Sequence, residues 1–262
     1  MRALSTAATG MAAQQLNVEV ISNNIANMNT VGYKRQRAEF SDLIYQDMAK
    51  AGAQSSDAGT VVPTGIQIGS GVKTGSIYRI TSQGSLTQTS NQLDVAIQGR
   101  GYLQVQLPNG EIGYTRAGNL SVNNTGQIVT DQGYTVIPAT TIPTDATAIT
   151  ISPTGQVQAT IPNTPAPVQV GQLQLATFVN EAGLQAQGDN LFQLSGSSGP
   201  AVLGNPGQPG FGTLMQGYTE ASNVDAVTEI TSLIAAQRAY EMNSKVITTS
   251  DQMLATTNQM KS

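Results

Sequence analysis

Cysteine, histidine and tryptophan are all absent from this 262-residue sequence. The first two absences remove thiolate and imidazole zinc ligands, Cys nucleophiles, imidazole general bases and any Ser-His-Asp triad. Without Cys there is no disulfide framework, and cysteine usage gives no redox compartment. Only carboxylate chemistry survives, on 16 Asp and Glu, so the reading is of a protein that is not an enzyme and needs no cofactor. Charge is scarce too, at 11% of residues against about 25% in an average domain. No Lys or Arg occurs between Arg116 and Arg238, whereas Asp131, Asp145, Glu181, Asp189, Glu220, Asp225 and Glu229 all do. This predicts a weakly acidic, solvated body. With a net charge of −4, it argues against a protein that tracks nucleic-acid phosphates.

Long apolar runs are missing as well. Nothing approaches the ~20 residues needed to cross a bilayer. The opening Met1-Arg2-Ala3-Leu4 meets Gln14, Gln15, Asn17 and Glu19 before an apolar stretch of ~7–15 residues can form. The sequence therefore predicts neither a membrane span nor a cleaved signal peptide.

What is present is heptad spacing at both ends. Leu4, Met11, Val18 and Ile25 fall seven apart, with Ala7, Gln14, Ile21 and Met28 as a companion row; these are the a and d rows of a helical seam. The pattern stops at Asn27-Met28-Asn29-Thr30-Val31-Gly32, where Asn and Gly favour leaving a helix. Towards the other end, Leu233, Tyr240, Ile247 and Leu254 are seven apart, flanked by Ala239, Val246, Met253 and Met260. Ser222 and Asp225 fit a capping box, predicting a helix from about Asn223 to Met260. Asn243 and Ser250 interrupt the second stripe. Such narrow, partly polar seams suit helix–helix contact; the alternative is that both helices pack onto the β body.

Between the ends the period changes to two. Leu103, Val105 and Leu107 alternate with Gln104 and Gln106, and Leu173 and Leu175 with Gln172 and Gln174. Pro108-Asn109-Gly110, Asn124-Thr125-Gly126, Asp131-Gln132-Gly133 and Pro153-Thr154-Gly155 supply the turns. The expected fold class is α+β, with the terminal helices pairing as a coiled coil, a central antiparallel β domain and an extended arm. Its divisions are an N-terminal helix (1–32), an arm (33–78), the β domain (79–207), a return segment (208–222) and a C-terminal helix (223–262). Within the arm, 46–76 shows little periodicity and reads as a linker or an extended interaction arm.

Other motifs carry no chemistry. Gly99-Arg100-Gly101 is followed by another strand pattern and lacks the third Gly of a dinucleotide fingerprint, so it reads as a turn. Asp94 and Glu111 form no evident glycosidase pair. The Lys34-Arg35-Gln36-Arg37 cluster precedes Glu39, Asp42 and Asp47, a local charge-paired face. Thr125-Gly126-Gln127-Ile128 and Thr154-Gly155-Gln156-Val157 echo one another as similar turns. No metal or cofactor ligand set emerges.

Two stretches carry a family resemblance. Ile21-Ser22-Asn23-Asn24-Ile25-Ala26-Asn27-Met28-Asn29-Thr30-Val31-Gly32-Tyr33-Lys34, and Ala235-Ala236-Gln237-Arg238-Ala239-Tyr240-Glu241-Met242-Asn243-Ser244-Lys245-Val246-Ile247, resemble the signatures of the bacterial flagellar axial proteins (rod, hook and hook-associated). Asp94-Val95-Ala96-Ile97-Gln98-Gly99-Arg100-Gly101-Tyr102 and Tyr114-Thr115-Arg116-Ala117-Gly118 are similar to β-domain motifs of that family, with Ala117 where relatives often carry Asp. Phe40 to Gln46, Gln54, Ser55 and Ser56, and the stretch holding Pro63, Gly65, Gly69 and Gly71, resemble the insertion that separates distal-rod from hook subunits.

The resemblance implies a fold and a role. The terminal helices would line a helical tube, with the arm outside them and the β domain outermost. The assembly seam would comprise Leu4, Met11, Val18, Ile21, Ile25, Leu233, Tyr240, Ile247 and Leu254, and the rod-specific arm Gln54, Ser55, Ser56, Pro63, Gly65, Gly69 and Gly71. Subunits would polymerise into a straight, hollow drive shaft of the basal body, spanning the periplasm to the outer membrane. Its partners would be copies of itself, other rod proteins, hook protein, the peptidoglycan and outer-membrane ring proteins, and the type III export apparatus. Two alternatives stand beside it: a carbohydrate- or surface-binding β module on a helical stalk, and a sister axial protein (hook or proximal rod).

Overall fold

The computed structural model describes residues 2–49, 64–162, 164 and 166–261. In chain order a long helix stands near each end with antiparallel β strands between them, an α+β architecture. Helix α1 spans Arg2–Ala26 and helix α2 spans Ala226–Lys261. Two compact units emerge: one from 1–25, 36–78 and 226–262, the other from 26–35 and 79–225.

In the first unit, α1 ends where the Asn-rich segment begins, as its sequence predicts. Helix α2 begins at Ala226 and not near Asn223, because Asn223 is used elsewhere. The Asn223 amide donates to the carbonyls of Ile80 at 2.9 Å and Ser82 at 3.0 Å, and its oxygen accepts from the Arg35 N–H at 2.7 Å. Ser222 Oγ accepts from the Val224 N–H at 3.3 Å. The many hydroxyl residues of α2 are accommodated by donating to carbonyls one turn back: Thr231 to Val227, Ser232 to Thr228 and Thr257 to Met253, which removes their competition with the helix.

The stretch without visible periodicity contains strands. Gln36–Asp42 pairs with Val72–Arg79, and Tyr45–Ala49 runs antiparallel to Ile66–Gly69 with Tyr45 opposite Gly69. Alternation is hard to read in the Tyr45–Ala49 and Ile66–Gly69 pair because apolar side chains there stay exposed: Tyr45, Met48, Ile66 and Ile68. Gln54, Ser55, Ser56 and Pro63 lie outside the described residues.

The second unit is built on a nine-stranded sheet in which Tyr102–Gln106 pairs with Ile112–Thr115, Thr135–Ile137 and Leu175–Thr177. One face of it carries Leu103 and Val105 into a core shared with Val95, Ile97, Leu120, Ile128, Val157, Leu173 and Leu214. The alternation predicts Gln104 on a solvated face; instead Gln104 is buried. The reason is a second cluster on that face, Tyr102, Tyr114, Phe178, Leu184 and Phe192, with Tyr102 and Tyr114 edge-on to Phe178 at 5.6 and 4.9 Å. Arg79 stacks its guanidinium over Phe192 at 4.6 Å and donates to the Leu184 carbonyl. Residues 208–222 are more than a return segment: Thr213–Gln216 pairs with Val95–Gln98, and Tyr218–Glu220 with Leu86–Gln88.

The two echoing turns do the same job. The Gly126 carbonyl accepts from Ile142 N–H, and the Gly155 carbonyl from Leu173 N–H, both at 2.7 Å. Each turn thus docks a following segment onto its hairpin.

Candidate assembly interface

The helices of the first unit approach one another at three points. Asn24 Nδ2 donates to Glu229 Oε2 at 3.2 Å. A Cβ on Gly10 would lie 3.0 Å from the Asn243 amide nitrogen. Between these, Gln15 and Val18 share an open groove of about 430 Å³ with Gln237, Tyr240 and Glu241. Residue numbers rise along α1 as they fall along α2, so the approach is antiparallel.

Asn24 also ties α1 to the adjoining strand. Its amide donates to the Gln36 carbonyl and its oxygen accepts from the Gln36 N–H, both at 2.8 Å. On α2 the buried positions are Glu229, Ala236 and Ser250, with Asn243 half-buried between them. That is one row spaced by seven, made of small and polar side chains. Asn243 and Ser250, which interrupt the apolar stripe in the sequence, belong to it. On α1 the buried residues are Ala7, Ala13, Val20, Ile21 and Asn24.

Of the seam residues expected from the sequence, Ile21 is buried, while Leu4, Met11, Val18, Ile25, Leu233 and Ile247 are half-buried and Tyr240 and Leu254 are exposed. Val227, Ile230, Ile234, Met242, Val246, Met253 and Met260 are also exposed. A helix that leaves apolar side chains on several sides in the single chain has faces still to be covered. In the arm, Gly65 and Gly69 are half-buried. Gly71, at φ +126°, brings its backbone so close to Thr9 that a Cβ would run into the threonine hydroxyl, and the Val72 N–H donates to that hydroxyl at 3.4 Å.

The second unit holds a buried ion cluster. Glu220 is 1% exposed, Lys34 3% and Arg116 5%. Lys34 Nζ donates to Glu220 Oε1 and Arg116 Nε to Oε2, both at 2.5 Å. The Gly84 N–H donates to Oε1 at 2.9 Å. The remaining cationic donors reach backbone carbonyls: Lys34 to Ser82, and Arg116 to Gly101 and Gly99 at 2.8 and 2.6 Å. Each charge is thus paired and further hydrogen-bonded, the condition for tolerating it in an interior. Burial pushes the Glu220 carboxyl up, but Arg116 and Lys34 outweigh it and hold the group below its ordinary range. Burial draws the Lys34 ammonium below its usual value, with Glu220 working against that.

This corrects two sequence readings. Lys34 belongs to no local charge-paired face; its partner is 186 positions away. Arg37 and Glu39 do pair locally, at 3.1 Å and exposed. Glu220 and Glu229 do not lie on the acidic surface. The segment holding Lys34 is kept against the sheet by Gly32, at φ +71°, whose N–H donates to the Glu220 carbonyl at 2.8 Å. A Cβ there would stand 2.8 Å from Ala117 N, so the Gly32-Tyr33-Lys34 and Thr115-Arg116-Ala117 motifs meet face to face. Among the described residues, no group of three or more acidic side chains could hold a metal ion, and no helix is long and apolar enough to cross a membrane.

Known proteins match the segments that form these features. Residues 4–34 match the family described as Flagella basal body rod protein, 96–159 the Flagellar hook protein FlgE/F/G D1 domain, and 215–260 the Flagellar basal body rod FlgEFG protein C-terminal. Over its whole length and the whole of the relative, the chain is 66% identical to a flagellar basal-body rod protein FlgG of Caulobacter vibrioides. It is 55% identical to that of Agrobacterium fabrum and 41% to that of Bacillus subtilis, each over 97% of both chains.

Proposed function

The chain belongs to the flagellar basal-body rod protein family, and from that premise we propose that it is the structural subunit that polymerises helically into the straight, hollow distal rod, the shaft that passes torque from motor to hook. The observation that carries this reading is the full-length 66% identity to a basal-body rod protein. The apolar positions that α2 leaves exposed in the single chain support it physically. A heterologous contact that does not close on itself yields an open helical polymer, and half-covered helices are what such a subunit brings to its neighbours.

In this reading the terminal helices pair as a coiled coil, and the seam of Leu4, Met11, Val18, Ile21, Ile25, Leu233, Tyr240, Ile247 and Leu254 completes itself against adjacent copies. The row of Glu229, Ala236, Asn243 and Ser250 faces α1 of the same chain, with Asn24–Glu229 fixing register. Apolar heptads can slip by seven residues at little cost, whereas a buried polar pair makes one register preferable. The arm carrying Gln54, Ser55, Ser56, Pro63, Gly65, Gly69 and Gly71 stiffens the shaft. Partners are copies of the chain, other rod proteins and hook protein at the ends, ring proteins around it, and the type III export apparatus that delivers it across the inner membrane. Low charge suits such packing, since few ions need desolvating at lateral contacts.

The test is complementation. In a flagellated bacterium made non-motile by deletion of its own distal-rod gene, this chain should restore rods that reach the outer membrane. A variant without residues 46–72 should still be exported but give curved or unstable polymers. Straight rods from that variant would refute the stiffening role, and export without any rod would refute the function.

A further inference from the structure

The methionines of α2 occupy one face. Met242, Met253 and Met260 are 11 and 7 positions apart, which at about 100° per residue places all three within about 20° of a common line. Val246 lies about 40° to one side of that line and Arg238 about 40° to the other, with Thr249 close to it, and no carboxylate falls within about 60° of it. The row stands about a quarter-turn from Glu229, Ala236, Asn243 and Ser250, the positions buried or half-buried on α2. In the single chain Met242, Met253 and Met260 are 64%, 59% and 82% exposed, and Val246 is 46% exposed. Among the described methionines, Met28 and Met48 are also exposed, and neither is on α2.

We infer that Met242, Met253 and Met260 form an oxidation-sensitive assembly face: oxidised in the free chain, they block its packing against a second copy, and once packed they are protected. This rests on the polymerising function proposed above. The occupant is a second copy because the face continues, on the same helix, the pairing surface through which that function assembles. It also carries no carboxylate, so two identical, weakly acidic chains can pack there without bringing their acidic groups together. The chemistry is a two-electron oxidation by a peroxide. The thioether sulfur attacks one peroxide oxygen, the O–O bond breaks and an S–O bond forms. Sulfur is oxidised to the sulfoxide, the peroxide is reduced, and the second oxygen leaves as water. Sulfoxide is polar and chiral where the thioether was apolar and pliant, which disrupts methionine-rich contacts and is reversed by sulfoxide reductases.

The experiment uses the purified full-length chain, hydrogen peroxide as probe, peptide mass spectrometry and sedimentation of polymer. In the free chain, Met242, Met253 and Met260 should gain oxygen as fast as Met48, and treated chain should sediment at least tenfold less than untreated chain. The variant Met242→Leu/Met253→Leu/Met260→Leu should assemble before and after treatment. In preformed polymer the three sites should oxidise at least tenfold more slowly than in free chain. Slow oxidation of the three in free chain would overturn the proposal, as would undiminished assembly of oxidised wild type or equal inhibition of the leucine variant. Failure of untreated chain to polymerise would instead overturn the function on which the proposal rests.

Discussion

Replacing Glu220 by glutamine leaves the shape of the ion cluster unchanged and removes its only anion. Lys34 and Arg116 have side chains 2% and 5% exposed, so neither can recover its hydration by a small movement. Removing one member of a buried pair typically costs about 3–5 kcal/mol, because the surviving charge stays buried without compensation. Here two cations survive, so Glu220→Gln should fall at or above the top of that range. At about 2–4 °C per kcal/mol for a protein of this size, the melting temperature should drop by roughly 10–20 °C. The assay is thermal unfolding followed by near-UV circular dichroism, which reports on Tyr102 and Tyr114 in the aromatic cluster. A double replacement, Lys34→Met with Glu220→Gln, removes one of the stranded cations and should recover part of the loss. A loss below about 1 kcal/mol for Glu220→Gln, or no recovery in the double variant, would refute the claim that this cluster is closed to solvent and holds the Gly32–Lys34 segment on the sheet.

Further tests follow from the same geometry. Because Glu220 titrates below its ordinary value, its stabilisation is complete above the unfolded carboxyl value of about 4.3 and is lost as pH falls through the lower folded value. The stability gap between wild type and Glu220→Gln should therefore be constant from pH 7 to 5 and shrink below pH 4; a gap that widens in acid would contradict this. Gly32→Ala should cost at least about 1–2 kcal/mol from the left-handed backbone alone, and more from the approach to Ala117 N; an unchanged denaturation midpoint would show that the segment is free to move. Asn24→Ala removes a partner from the Gln36 backbone and from Glu229, and should cost about 1–3 kcal/mol. Hydrogen exchange should then quicken at Gln36 N–H, and unchanged protection there would count against the register role.

The helices were legible because their determinants are local: heptad spacing, an Asn- and Gly-rich stop, and Ser/Thr residues that satisfy themselves one turn back. The strands of the β unit were legible where one face meets a core, as for Leu103 and Val105, and misread where both faces are covered, as for Gln104. The ion cluster was invisible to local reading, since Lys34, Arg116 and Glu220 are separated by the length of the chain and each has nearer charges with which it could pair. Its one sequence trace was that Lys34 and Arg116 sit inside the very motifs that carried the family resemblance. The covered row of α2 was hidden because polar residues look like interruptions of an apolar stripe; spacing by seven from Glu229 through Ala236, Asn243 and Ser250 was the signal that could have found it.

The central claim is that the terminal helices make this chain a polymer subunit. It is tested most directly by introducing Leu4→Asp or Leu254→Asp separately and examining basal bodies by electron microscopy, with circular dichroism of each purified variant as a check on the β unit. The account predicts that neither variant builds a rod although its β signal and melting transition are unchanged. Rods of normal length and straightness from either variant would contradict it.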